Sequence, residues 1–169
     1  MTIHAVLQYL QYKWKAKGRH GTHSPFVYNF IEHVLLDRKV INRAYLIEYP
    51  DLPLRYENIA SRTAAYYQYK SIVHLSPENS LPEIPAADML LFHAKDPLQW
   101  LVWLSAYLPI LKNDSAVLVA GIHKSLLHTS EWNKLCKDPR VRLSMDLFGI
   151  GLLFFKEEFK EKQHFVLAV

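Results

Sequence analysis

Two segments place polar residues capable of chemistry at the ends of apolar runs. His93 and Asp96 follow the run at residues 87–92, and His123 follows the run at residues 115–121. Two imidazoles and a carboxylate suit zinc or non-haem iron if the three side chains converge. A histidine at a strand end more commonly makes ordinary hydrogen bonds, and we favour that interpretation.

A strand-helix-strand unit at residues 87–123 must position these side chains. Its two apolar runs lack polar alternation, which is typical of strands covered on both faces. Residues 97–111 begin on a proline and have helical spacing. Their apolar residues, which include Leu98 and Val102, are expected to face the sheet together with Trp100, Trp103 and Tyr107, with an exposed position as the alternative for Trp100. The unit predicts two parallel strands, a right-handed crossover and a ligand crevice beyond the carboxyl ends of the strands.

The remaining patterns predict further elements of a single α/β domain. Before the strand-helix-strand unit they indicate a helix at residues 3–17, a second helix from Ser24 and Pro25 and a weaker one at 38–49. A linker at 49–56, a helix at 57–69 and a strand at 70–75 follow. After the unit they indicate a helix that is capped by Thr129 or Ser130 and ends at Lys137, and then strands at 141–147, 150–155 and 164–167. Short turns between the last strands predict antiparallel pairing at one edge. We expect one domain of residues 1–169, in which an N-terminal helical extension at 1–45 packs on a sheet core at 57–169.

The N-terminal segment concentrates positive charge. The chain has a net charge of +4, and residues 1–23 contain no acid but carry Lys13, Lys15, Lys17 and Arg19. The apolar residues of the first helix lie near one face, and they are Val6, Leu7, Leu10 and Trp14. Lysines beside aromatic residues could bind nucleic acid through phosphate contacts and stacking. We favour the alternative, a helical pair packed on the body with a solvated basic face.

Several other kinds of site lack their sequence signatures. The chain has neither a Gly-x-Ser-x-Gly elbow nor a phosphate-binding loop, and His20 and His23 lack the helical spacing for shared metal ligation. Cys136 is the only cysteine, which permits no internal disulfide and favours a cytoplasmic protein. The first ten residues lack a signal-peptide pattern, and the apolar runs are too short to span a bilayer.

Five segments together resemble a known family. They are residues 17–26, 112–115, 122–123, 145–155 and 163–165. They look like segments of the bacterial class I S-adenosylmethionine-dependent methyltransferases, in a branch similar to the small-molecule O-methyltransferases. The resemblance covers residues 1–45 and 85–169. It implies a Rossmann-like, mostly parallel sheet with antiparallel edge strands and N-terminal helices, and S-adenosylmethionine as the cofactor.

The sequence departs from that family where the cofactor would bind. Residues 71–75 best match the first family strand, but residues 76–80 contain a proline and no glycine where the family has a glycine-rich loop. Thirteen residues separate Leu75 from Met89, too few for two further strands and their helices. We therefore expect a sheet shortened to about five or six strands. The candidates for a remnant pocket are Ser76, His93, Gly121 and His123.

The catalytic pattern departs as well. The resemblance implies metal-binding acids at two strand ends, whereas this chain has Phe92, His93 and Ala94 at one end and Ala120 and Gly121 at the other. We expect a methyltransferase-fold protein that lacks metal, cofactor binding and catalysis and acts through a protein partner or as a homodimer. The strand at 71–75 is then an edge that either pairs with another chain or is covered by the segment 45–70. The alternatives are an active divergent S-adenosylmethionine-dependent methyltransferase and a nucleic-acid-binding module that uses the basic N-terminal helix. We expect no membrane partner.

Overall fold

The described residues form one mixed sheet with helices on both faces. The structure, a computed structural model, describes residues 3–18, 23–37, 53–75, 86–92 and 95–168. The helices are α1 (Ile3–Lys15), α2 (Pro25–Phe30) with a π-helical continuation (Ile31–Leu36), α3 (Leu54–Tyr67), α4 (Trp100–Tyr107) and α5 (Leu126–Lys137). The strands are β1 (Ile72–Leu75), β2 (Ala87–Phe92), β3 (Leu111–Ala120), β4 (Leu143–Asp146), β5 (Ile150–Phe154) and β6 (Gln163–Val166).

The strand order confirms an α/β sheet that is mostly parallel. Among the described residues the order is β1-β2-β3-β5-β4-β6. The pairs β1–β2, β2–β3 and β4–β6 are parallel, whereas β5 runs antiparallel to both β3 and β4. The strand-helix-strand unit at residues 87–123 is therefore parallel, as its apolar runs predict.

The predicted position of the antiparallel strands was wrong. We expected antiparallel strands at an edge, but β5 lies inside the sheet and the edge strand β6 is parallel to β4. The reason is the hairpin between β4 and β5, which inserts β5 between β3 and β4. Because β5 ends beside the start of β4, the short connection at residues 155–162 begins β6 at that same end, and β6 therefore runs parallel to β4.

Each face of the sheet buries its own apolar cluster. One cluster joins α2, α3 and alternate strand residues such as Met89, Leu118 and Leu152. The other joins α4, α5 and the intervening residues such as Phe92, Val119 and Leu153. This two-sided burial explains why β2 and the end of β3 lack polar alternation.

The crossover helix α4 packs on the sheet as predicted, with two exceptions. Trp100, Trp103 and Tyr107 are buried. Leu98 and Val102 were expected on the same face but are more than half exposed. The turn at Pro97–Gln99 is a 3-10 helix, and its tighter winding rotates Leu98 away from the face that the α-helical period predicts.

Side-chain caps set two helix starts. Ser24 caps α2, where its Oγ accepts a hydrogen bond from the Val27 N–H at 3.5 Å. The cap predicted at Thr129 or Ser130 was wrong, because Ser125 has an extended backbone directly after the β3 turn and accepts from the His128 N–H at 3.4 Å. Helix α3 also begins earlier than expected, at Leu54. The helical segment predicted at residues 38–49 lies outside the described residues.

Candidate functional site

The carboxyl end of β3 turns sharply toward the hairpin between β4 and β5. Gly121 has a φ of 70°, a left-handed conformation that suits glycine because no Cβ clashes with the backbone. Its N–H donates to the Gly149 carbonyl at 2.7 Å. The turn therefore links β3 to the hairpin and directs the next residues, Ile122 and His123, into the interior.

His123 and Asp146 form a buried pair at this end of the sheet. His123 Nε2 lies 2.7 Å from Asp146 Oδ2, and both side chains are less than one-tenth exposed. The second ring nitrogen, Nδ1, lies 3.1 Å from Thr129 Oγ1, and the Thr129 hydroxyl donates to the Ser125 carbonyl at 3.2 Å. The other Asp146 oxygen accepts from the Phe148 N–H at 2.8 Å. The network connects the β3 turn, α5, β4 and the hairpin.

This arrangement limits the chemistry of His123. A general base needs an unprotonated ring nitrogen that reaches a substrate proton, and a metal ligand needs a ring nitrogen whose lone pair faces the metal. Both nitrogens of His123 already have partners within hydrogen-bonding distance. Among the described residues, no group of three histidine, cysteine or acidic side chains is placed to hold a metal ion. The pair therefore has the geometry of a buried structural link.

Aromatic rings from α1 cover the pair. Phe148, with a φ of 66°, places its ring 5.5 Å from the His123 ring. The Tyr9 and Tyr12 rings contact Phe148 at centroid distances of 5.1 and 5.3 Å. The Tyr12 hydroxyl also donates to the Leu167 carbonyl beyond β6. The N-terminal helix thus lies across the carboxyl ends of β4 and β6.

Tyr56 of α3 packs against the hairpin turn. A Cβ added to Gly149 would lie 2.1 Å from the Tyr56 ring, so this close contact requires glycine. Burial raises the pKa of the Tyr56 hydroxyl, against the lowering effects of the Arg55 charge and of a backbone hydrogen bond with Gly149. This phenol therefore stays protonated at neutral pH and cannot supply a phenolate base.

A second polar group lies nearby on β4 and β6. The buried Ser144 Oγ lies 2.8 Å from His164 Nδ1. Burial of the ring where it faces Ser144 lowers the pKa of His164 below the usual 6.5, although the residue as a whole is exposed. Burial raises the pKa of the neighbouring Cys136 thiol to about 12, so this cysteine is an unreactive thiol.

The structure brings together only part of the predicted site. Gly121 and His123 lie at the β3 end, as expected, whereas Ser76 and His93 lie outside the described residues. Asp96 Oδ1 accepts from the Leu98 N–H at 3.2 Å, which is the role of a helix cap. In the proposed metal-binding set of His93, Asp96 and His123, Asp96 therefore caps a helix and His123 pairs with Asp146.

The basic residues of the N-terminal segment are accessible. Lys13, Lys15 and Lys17 are exposed, and Arg19 lies outside the described residues. The backbone of Lys17 bonds to Val166 and Ala168, which ties the end of α1 to β6. The Lys13 ammonium lies 5.6 Å from the Tyr9 ring centre.

Asp146, Thr129 and the two tyrosines of α1 were not predicted as site residues from the sequence. Asp146 could have been noticed as a lone acid at the end of an apolar strand, since such a carboxylate needs a partner when buried. Its partner lies 23 residues away, and no local pattern links the two. Comparisons with protein-family models, with curated proteins and with solved structures gave no match.

Proposed function

We propose that this chain is a methyltransferase-like α/β domain that has lost cofactor binding and catalysis and acts through protein contacts. One observation carries the proposal. At the carboxyl ends of β3, β4 and β6, which form part of the sheet edge where an open α/β sheet holds its ligand, the space contains the His123–Asp146 pair and the rings that cover it. We also propose a cytoplasmic location, which the single cysteine favours.

The strand order supports descent from a doubly wound sheet. Such a sheet has the order 3-2-1-4-5-6. Removal of strands 3 and 2 would leave strand 1 at the edge beside strands 4 and 5, all parallel. The order and directions of β1, β2 and β3 match this remainder. The thirteen residues between Leu75 and Met89 leave no room for the missing strands.

The residues present do not fit S-adenosylmethionine. The resemblance implies a glycine-rich loop after the first strand, but residues 76–80 include a proline and no glycine. Gly121 offers a glycine backbone at the carboxyl end of β3, but its N–H already donates to the Gly149 carbonyl. We therefore assign no methyl-transfer step to this chain.

The edge strand β1 is the proposed contact for a protein partner or a second copy. Within the described residues β2 is its one strand neighbour. The Ser71 carbonyl accepts from Asp88 and Met89 of β2, so the N–H of Ile72, on the same trans peptide, points to the outer edge. A short apolar strand in this position suits pairing with a strand from another chain.

A matched pair of variants tests the contact. Ile72→Ala and Ile72→Pro both remove the side chain, but only proline removes the outward N–H. Light scattering and affinity capture on the full chain should detect a dimer or complex with the alanine variant and lose it with the proline variant. A monomer that captures no partner through this edge would contradict the proposed contact.

Calorimetric titration tests the loss of cofactor binding. We expect no heat and no thermal shift with S-adenosylmethionine or S-adenosylhomocysteine at millimolar concentration. Binding at micromolar strength, equivalent to about 8 kcal/mol, would contradict the proposal and favour the active divergent methyltransferase. The result does not require a known methyl acceptor.

A further inference from the structure

Helix α1 packs on the sheet through one face and exposes a hydrophobic stripe on the other. Among residues 6–15, the part of this helix whose side-chain burial is described, Tyr12 is the buried residue, and it contacts Phe148. Leu10 lies about 200° from Tyr12 around the helix, at about 100° per residue. The exposed stripe on that outer side consists of Val6, Leu7, Leu10 and Trp14. Leu10 is 60% exposed and Trp14 is 89% exposed.

This orientation reverses the expected one. An amphipathic helix in a globular domain normally buries its aliphatic face. Here the aromatic face of Tyr9 and Tyr12 packs on the body, and the aliphatic face with its tryptophan points outward. An exposed apolar face of this kind marks a surface for another molecule.

Positive charge flanks the hydrophobic stripe and favours a negatively charged binding partner. Lys13 and Lys15 lie on opposite sides of Trp14, and Lys17 follows the helix. Residues 1–23 contain no acid. A helix with an apolar face, a tryptophan and only positive charges is typical of helices that lie flat in the headgroup region of a bilayer.

An open groove beside Trp14 extends the same surface. The groove has a volume of about 480 Å³ and is lined by Trp14, Lys15, Lys17, His164, Phe165 and Val166. Its two lysines offer donors to an anionic group, and its apolar part is continuous with the tryptophan. A lipid phosphate at the side of the helix would find both kinds of contact there.

We propose that α1 is an in-plane anchor that binds this protein to an anionic lipid surface. A second copy fits less well, because two such faces would bring their lysines together. Nucleic acid matches the lysines and Trp14, but gives no role to the aliphatic residues Leu7 and Leu10. No described helix is long and apolar enough to cross a membrane. We expected no membrane partner because the apolar runs are too short to span a bilayer, but a helix that lies in the plane of the surface needs no spanning segment.

Tryptophan fluorescence provides a direct test in the full chain. All four tryptophans are described, and Trp100, Trp103 and Trp132 are buried. Quenching by acrylamide therefore reports mainly on Trp14. We expect vesicles of equal phosphatidylglycerol and phosphatidylcholine to shift the emission to the blue and protect it from acrylamide. Vesicles of phosphatidylcholine alone should do so far less.

Two double variants separate the apolar and charged contributions. Lys13→Gln with Lys15→Gln should weaken binding to the anionic vesicles about 30-fold, at about a fivefold loss for each lysine near the surface. Leu7→Gln with Leu10→Gln should abolish the acrylamide protection. Both pairs are exposed, so the melting temperature should stay unchanged. The matched control is Lys70→Gln with Lys160→Gln, which removes the same charge from exposed residues that precede β1 and β6.

The outcomes decide between the candidate partners. Binding that survives both double variants, or that the control pair weakens equally, would contradict the proposal. Binding of a single-stranded oligonucleotide without binding of vesicles would contradict the proposal and identify nucleic acid as the partner of α1. Absence of binding to either would overturn the proposal as well. None of these results depends on cofactor binding, so this inference can fail while the proposed function stands.

Discussion

Removal of the Asp146 carboxylate should destabilise the fold strongly. In Asp146→Ala, His123 loses the acceptor that lies 2.7 Å from its Nε2, and the Phe148 N–H loses its acceptor at 2.8 Å. Breaking a buried pair by removal of one partner costs about 3–5 kcal/mol, because the remaining group stays desolvated without its partner. For a chain of this size, each kcal/mol lowers the melting temperature by about 2–4 °C. We therefore expect a decrease of about 10 °C.

The same change on the surface provides the control. Asp114 pairs with Lys156 at 2.5 Å, but its side chain is 71% exposed. Solvent screens such a pair, so Asp114→Ala should cost less than about 1 kcal/mol. Urea unfolding followed by circular dichroism measures both variants. Asp146→Asn, which keeps the shape and one acceptor oxygen, should fall between them.

A double-mutant cycle checks the origin of the effect. If the cost of Asp146→Ala comes from an orphaned imidazole, then adding His123→Ala should recover part of the lost stability. Equal effects for Asp146→Ala and Asp114→Ala, or strict additivity with His123→Ala, would refute the argument that the pair is a structural link.

Three further predictions concern neighbouring groups. Gly151→Ala should lower the free energy of unfolding by about 1–3 kcal/mol, since the added Cβ would lie 2.3 Å from the buried Trp132 ring; an unchanged urea midpoint would contradict this packing. The free energy of unfolding should fall as pH drops below about 6.5, because the unfolded chain then binds a proton that folded His164, with its lowered pKa, resists. His164→Gln should reduce that pH dependence, and an identical profile would assign the decline to other groups. Cys136, with a pKa of about 12, should react with a thiol reagent at pH 8 only after denaturation; fast labelling of the native protein would contradict its burial.

The sequence predicts those parts of the fold that depend on local patterns. The apolar runs of β2 and β3 indicate burial on both faces, and Ser24 with Pro25 marks the start of α2. The insertion of β5 between β3 and β4 follows from long-range pairing, which short turns alone do not determine. The sequence therefore predicts the hairpin but misplaces it in the sheet.

Less of the candidate site can be predicted from the sequence. The sequence of α1 predicts a helix with two different faces, but not which face packs on the sheet. The face with Tyr12 packs there, because its ring contacts Phe148 and its hydroxyl donates to the Leu167 carbonyl. His123 could be predicted at a strand end, but its partners Asp146 and Thr129 come from β4 and α5. These contacts depend on the three-dimensional arrangement of the elements.

The most direct test of the central claim is nitrogen-15 NMR of the histidine rings during titration with S-adenosylmethionine. We expect both His123 ring nitrogens to be hydrogen-bonded in the free protein, because they lie within hydrogen-bonding distance of Asp146 and Thr129. Neither resonance should move at millimolar ligand. A His123 nitrogen that is free in the apo protein, or that shifts on saturation with ligand, would contradict the claim that the chain's own residues occupy this end of the sheet.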